Sequence, residues 1–430
     1  MNKLKITRAV SVSLLIGLIG CMFACEERNP DKSIDHECNN DSSKCSKNVS
    51  DIKTESPKRP ESSIFIMDIS VSMKGYFGSG DSRLLGVVRS YLNIATSEPV
   101  IHWYGKSETE GITRKDFLNI TQNSIDWSHE SDIKSMLQSM VEHSNDYDIC
   151  LLLTDGILSG SNEQIRKSYR GKYNIEKKEW MSEEIKTIFD RNDSLSAIVI
   201  RYIAGFNGTY SCYNNESKFL TNKERPYYII AVGKWKYVKY IEEQLKSEGG
   251  DVLDKPYDFY VMFGDEQTYK NAKFSYNSGI KGIHDDCMII DRDVKTEGDV
   301  VLSANIKDLP YYMHDVEYWN KNLKLSVHQD NHSERVLTHD DYDVYLDTVS
   351  AKQIVCKLSI KARKLVGRSL VLKLEYESPS WIKEYNDDDD LDILSNSKEM
   401  LRTFNLKYLI DGFKGLQNEK YVICQIIKFK

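Results

Sequence analysis

The sequence predicts an α/β domain with a doubly wound, mostly parallel sheet, followed by a β-sandwich-like C-terminal domain. Continuous apolar runs of strand length alternate with helical-period stripes from about residue 61 to 250, as in a sheet covered on both faces. From 251 to 430 the helical period disappears and short alternating runs replace it. The 430 residues, 40% of them hydrophobic, suffice for more than one core at the usual ~100 to 200 residues per domain.

The first run, Ser63-Ile64-Phe65-Ile66-Met67, is a buried strand ended by Asp68. After a Gly-containing loop, Asp81 is placed to cap a helix with Leu84, Leu85, Val88, Leu92 and Ala95 on one stripe, and Pro99 forbids its continuation. Val100 to Tyr104 is the second strand. Ile133, Met136, Leu137, Met140 and Val141 then recur at helical spacing. Asp148 to Leu153 is another buried strand, followed by a helix near Ser182 to Phe189 and the strand Ala197 to Ile200. Tyr227 to Val232 supplies a last strand, and Val238, Ile241 and Leu245 mark a closing helix that Gly249 and Gly250 terminate.

In the second half, Val301 to Ile306, Leu323 to Val327, Ile354 to Ile360 and Leu370 to Tyr376 read as the strands of a sandwich. The acidic run Asp387 to Asp390, with Asp392, lacks the Gly turn and terminal Glu of an EF-hand loop and reads as a solvated connection. Cys150, Cys356 and Cys424 fall within apolar runs, where a thiol behaves as a small hydrophobe, so few of the nine cysteines are expected to form bridges. Whether Cys38 and Cys45 pair is left open by the sequence.

Lys3, Lys5 and Arg8 precede an uncharged stretch from Ala9 to Ala24, the composition of an export signal. The stretch is shorter than the ~20 apolar residues that a permanent membrane span needs. Leu18-Ile19-Gly20-Cys21 resembles the lipobox of bacterial lipoproteins, which implies lipid attachment at Cys21 and a place in the bacterial cell envelope, on the periplasmic or surface face of the outer membrane. Cys25 is the alternative, because the Glu26 and Glu27 that follow it resemble surface-export signals of some lipoproteins. Residues 1–25 are thus read as signal peptide and lipobox. Residues 26–60, rich in Asp, Ser, Asn, Lys and Glu, are read as a disordered tether.

A formal net charge of -7 without a clustered basic surface argues against a nucleic-acid partner. The chain has no G-x-S-x-G elbow, no P-loop and no H-E-x-x-H spacing, and its nine scattered histidines read as solvated or packed. Nothing here recommends an enzyme.

Chemistry concentrates at Asp68-Ile69-Ser70-Val71-Ser72-Met73-Lys74-Gly75, where a buried strand meets a loop. Residues spaced by two in an extended loop project the same way, so Asp68, Ser70 and Ser72 can converge on a small hard cation that prefers oxygen ligands. This D-x-S-x-S-x-x-G sequence resembles the signature of von Willebrand factor A domains, whose fold is Rossmann-like and whose metal site takes a Thr from a second loop and an Asp from a third. The resemblance implies Asp155, in Leu152-Leu153-Thr154-Asp155-Gly156, as the third-loop residue. It implies Ser131, in Ser131-Asp132-Ile133, as the second-loop residue in place of Thr, with Ser128 as the alternative if the helix starts earlier.

By the same resemblance, Ser70 and Ser72 would bind magnesium (or manganese or calcium) directly, and Asp68 and Asp155 largely through waters. A carboxylate of a protein partner would fill an open position. The expected function is therefore a lipid-anchored envelope protein that binds an acidic residue of a protein partner. One alternative is a metal-independent scaffold or assembly protein with a vestigial site. Another is a metal-assisted hydrolase, for which the sequence shows no acid or base partner.

Overall fold

The computed structural model describes residues 56–129, 132–157, 179–190, 192, 194–212, 216–246, 260–264, 272–284, 287–329, 334–350, 353–417 and 421–430. The expected signal peptide, with Cys21 and Cys25, most of the tether, and Ser131 lie outside the described residues. Among those described, no helix is long and apolar enough to cross a membrane.

Seven strands form the first sheet: β1 (Ser63–Asp68), β2 (Val100–Tyr104), β3 (Glu108–Thr109), β4 (Ile149–Thr154), β5 (Leu195–Ser211), β6 (Ser217–Lys234) and β7 (Tyr260–Phe263). Their spatial order is β3-β2-β1-β4-β6-β5-β7. Successive side chains of a strand point to opposite faces, and the central strands show this directly. Ile64, Ile66, Cys150 and Leu152 enter one core, while Phe65, Met67, Leu151 and Leu153 enter the other. Both faces of β1 are therefore dry, which is why Ile64 to Met67 is apolar throughout rather than alternating.

The helices that close these cores are largely those the hydrophobic stripes mark. In chain order the first five are α1 (Val71–Lys74), α2 (Arg83–Tyr91), α3 (Arg114–Leu118), α4 (Ile133–His143) and α5 (Glu179–Phe189), followed by α6 (Trp235–Lys246). Leu84, Val87 and Val88 of α2 and Val238, Ile241 and Leu245 of α6 cover the Phe65 face. Met136, Leu137 and Met140 of α4 and Ile185 and Phe189 of α5 cover the Ile64 face. Asp81 lies just ahead of α2, accepting from the Arg83 N–H at 2.9 Å and, across the sheet, from the Gly205 N–H at 2.7 Å.

The expected mostly parallel sheet is found only at its centre. β1 runs parallel to β2 and β4, but β6 is antiparallel to β4 and β5, and β7 and β3 are antiparallel edges. The reason is the connection: no helix separates β5 from β6, and a short link permits only an antiparallel return. The resulting hairpin reaches well past the sheet, pairing as far as Ser211 with Ser217.

The second region holds β8 (Ser275–Ser278), β9 (Ile280–His284), β10 (Cys287–Ile290), β11 (Asp299–Asn305), β12 (Leu323–His328), β13 (Glu334–Val336), β14 (Tyr342–Ser350), β15 (Gln353–Lys361), β16 (Ser369–Glu375) and β19 (Tyr421–Phe429), with the short β17 (Asn386–Asp387) and β18 (Thr403–Phe404) pairing separately. A six-stranded sheet, β13-β12-β16-β19-β10-β9, and a four-stranded one, β14-β15-β11-β8, share one core. Leu370, Leu372 and Leu374 enter it from the larger sheet, and Val300, Leu302, Leu358 and Ile360 from the smaller.

Between β16 and β19 the chain leaves this region. Trp381, Ile382, Leu406, Leu409 and Phe413 join the Ile64 core, and Ile393 and Met400 join the Phe65 core. With β7 also drawn from beyond residue 250, the two regions share buried surface, and residues 50–430 form one compact unit.

Candidate metal centre

β1 and β4 are parallel neighbours, so Asp68 and Asp155 emerge at the same end of the sheet, where open α/β sheets bind ligands. Asp68 is 1% exposed and Asp155 5%. The Ser70 N–H donates to Asp68 Oδ1 at 2.8 Å and so bends the loop back on the strand end. Ser70 stands at the N-cap of α1, yet its hydroxyl makes no capping bond and instead lies 2.9 Å from the Ser72 hydroxyl. Ser72 in turn meets the Asp155 carboxylate, whose Oδ1 accepts from the Ile157 N–H at 3.2 Å. The two serines and two aspartates singled out in the sequence thus converge.

Thr154, read in the sequence only as the neighbour of Asp155, is the hinge of the arrangement. Its hydroxyl donates to Asp68 Oδ2 at 3.0 Å and accepts from the Gly156 N–H at 3.2 Å. The second loop lies against the first: the Val71 N–H donates to the Ser128 carbonyl and the Ser128 N–H to the Ile69 carbonyl, each at 2.8 Å. Ser128 is thereby set beside Ser70 through the backbone. Asp132 caps α4, accepting from the Lys134 N–H at 3.1 Å.

The glycines of both motifs are steric necessities. A Cβ on Gly75 would stand 2.2 Å from the Phe206 ring of β5, and Gly156, at φ +71°, would press a Cβ into Tyr228.

Burial, and secondarily the facing charge of Asp155, pushes the Asp68 carboxyl well above its ordinary range, against the Ser70 and Thr154 donors that hold it down. Asp155 is also raised by burial, opposed by Ser72, the Ile157 N–H and Arg225. Arg225 is a buried cation that no local pattern marks, set in the polar stretch Lys223-Glu224-Arg225-Pro226. It stacks 4.5 Å from the Tyr210 ring centroid and donates to the Met400 carbonyl at 2.9 Å, so the returning C-terminal segment fixes it near Asp155.

Three other expectations are revised. The acidic run is not wholly solvated: Asp390 is 1% exposed and accepts from the Tyr210 hydroxyl at 2.7 Å, because the segment packs under the β5–β6 hairpin. Cys424 is disulfide-bonded rather than a buried thiol, whereas Cys150, Cys212, Cys287 and Cys356 are free. Two of the supposedly scattered histidines are gathered: His102 Nδ1 lies 2.5 Å and His143 Nε2 3.0 Å from Glu108 Oε1. No spacing rule joins residues drawn from two strands and a helix end.

Comparison with family models, curated proteins and solved structures finds no match.

Proposed function

We propose that this chain is an exported, lipid-anchored protein of the bacterial cell envelope whose first domain is of the von Willebrand factor A type and binds a protein partner through a divalent cation. The observation that carries this reading is the convergence of the Ser70 and Ser72 hydroxyls with two buried carboxylates at the ends of adjacent parallel strands. The donor set is all oxygen, which fits magnesium, with manganese or calcium as substitutes. Two acidic groups buried side by side and raised by that burial also favour a cation that would neutralise them.

Ser70 and Ser72 would hold the ion, with Asp68 and Asp155 behind them and Ser128 or Ser131 completing the set. A bound ion would supply a positive centre for a carboxylate of the partner. Thr154 orients Asp68 through its hydroxyl, and Gly75 lets the loop lie flat on the β5–β6 hairpin. Attachment through Cys21 or Cys25 would place the module on the membrane surface. This is a binding role and not an enzymatic one.

A second reading, a metal-independent scaffold or assembly protein, draws on Arg225, which already supplies a positive charge beside Asp155. Calorimetry separates the two. Magnesium or manganese binding should fall in the Ser70→Ala/Ser72→Ala double variant by more than the about 10- to 100-fold typical of losing an outer-shell group. Capture of envelope partners should fail with chelator. Unchanged metal affinity in the folded double variant overturns the site, and chelator-insensitive capture favours the scaffold.

A further inference from the structure

His102, Glu108 and His143 form a second cluster that uses none of the residues at Asp68. His102 is the middle residue of β2, Glu108 opens the two-residue edge strand β3, and His143 is the last residue of α4. β3 pairs antiparallel with β2, with Glu108 opposite Tyr104, and this folds the glutamate back toward His102. His102 pairs with Ile66, two residues back from Asp68 along β1, and the contact with α4 puts the cluster on the covered flank of the sheet.

Both imidazoles point a ring nitrogen at the same carboxylate oxygen, Glu108 Oε1. The other oxygen, Oε2, accepts from the Ser139 hydroxyl at 2.6 Å, and Ser139 lies one helical turn before His143. The two rings sit edge to face with centroids 5.4 Å apart. The three donor atoms all lie within 4.8 Å of one another. An ion bound at about 2.0–2.1 Å to each donor needs them roughly 3–4 Å apart, so small side-chain rotations convert the hydrogen-bonded cluster into a coordination shell.

We infer that His102, Glu108 and His143 are the protein ligands of a divalent transition-metal site of the zinc class, separate from the oxygen site at Asp68. Two imidazoles and one carboxylate make a borderline-soft set that zinc takes as three protein ligands plus water, whereas magnesium and calcium prefer oxygen alone. Ser139 is the outer-shell partner that fixes the carboxylate, the arrangement in which ligands are held by a second hydrogen bond. The side chains of His143 and Glu108 are 24% and 21% exposed and that of His102 is 6%, so the fourth position opens toward solvent past the first two. Zinc there ties the shortest strand of the sheet to the end of α4.

Cobalt(II) titration of the full chain, stripped of metal by chelator, tests this directly. The expected result is a visible d–d band saturating at one equivalent, displaced by zinc, and a rise in melting temperature with zinc. Ser72→Ala keeps the band. His143→Gln abolishes it, and Ser139→Ala weakens cobalt binding by about 10- to 100-fold. Glu108→Gln, which preserves shape and keeps one oxygen for the two imidazoles, serves as a second ligand variant should His143→Gln melt early. The inference is overturned if wild type gives no band, if only a sulfur-to-cobalt charge-transfer band from cysteine appears, or if both folded ligand variants bind as wild type does.

Discussion

The Asp68 loop gathers Asp68, Ser70 and Ser72 within five consecutive residues, whereas His102, Glu108 and His143 meet from β2, β3 and the end of α4. The first is a contiguous motif on a strand end, its shape fixed by local bonds such as Ser70 N–H to Asp68. The second exists only once an edge strand and a helix have docked. The two also differ in their own charge balance. Two buried carboxylates face each other at the loop, while a single carboxylate receives hydrogen bonds from two imidazoles and a serine at the cluster. A site that strains against its own charge stands beside one already satisfied by hydrogen bonds.

The most damaging way to break this contrast is to remove Arg225, the cation that offsets Asp155. Arg225→Met leaves buried negative charge uncompensated and two carbonyls, Met400 and Arg402, without their donor. Losing one partner of a buried charge arrangement costs about 3–5 kcal/mol. Urea unfolding of the metal-free variant should show a loss of that order, and saturating magnesium should restore a larger part of it than magnesium adds to wild type. Equal magnesium stabilisation of both proteins would show that Arg225 and the cation do not share a role.

What was legible in the sequence follows the same division between local and assembled features. β1 and β4 could be read because both faces are buried, so Ile64 to Met67 and Ile149 to Leu153 are apolar without a break, and α4 because its stripe has helical period. Asp68, Ser70, Ser72 and Asp155 could be read because each lies within a contiguous motif. The antiparallel return of β6 was not legible, since its outer half is polar and mostly exposed where the hairpin leaves the sheet. Arg225 and the His102 cluster were hidden for a different reason: Arg225 meets Met400, 175 residues away, and Glu108 meets His143, 35 residues away. The C-terminal segment looked like part of the sandwich because short apolar stretches such as Leu406 to Ile410 carry no mark of which core they enter.

A smaller effect is expected from the loop's floor. Gly75→Ala drives a methyl into Phe206, and the Cα of Gly75 already lies 2.7 Å from where a Cβ on Gly208 would stand, so neither side has room to give. Overpacking of this kind costs about 1–3 kcal/mol. Because Gly75 follows Ser72 by three residues, the shift should also reach the hydroxyls. Thermal unfolding and magnesium calorimetry should both worsen in Gly75→Ala while cobalt binding at His143 stays unchanged. A melting loss without a change in magnesium affinity would confine Gly75 to packing.

The last contrast is in pH dependence, where the two sites pull in opposite directions. Asp68 and Asp155 are raised in the folded protein, so the fold prefers them protonated; their contribution favours stability at low pH and is lost as pH rises from the ordinary carboxylate value of 3.8 through their raised values. Glu108 is lowered: burial alone would raise it, but the bonds from Ser139, His102 and His143 outweigh that. Its contribution is present above its ordinary value of 4.5 and is lost as pH falls through the lowered one. In metal-free wild type the slopes oppose each other only between pH 3.8 and 4.5, and above that the aspartates alone set the trend. Asp155→Asn should remove much of the decline with rising pH, and Glu108→Gln should remove the loss at the acid end, both read as unfolding free energy against pH in chelator. With magnesium present the decline should flatten in wild type, since a bound cation favours the ionised aspartates, and protons should be released on binding. If wild-type stability instead rises with pH through this window without metal, the two aspartates are not held against their charge and the case for a cation at Asp68 loses its electrostatic support.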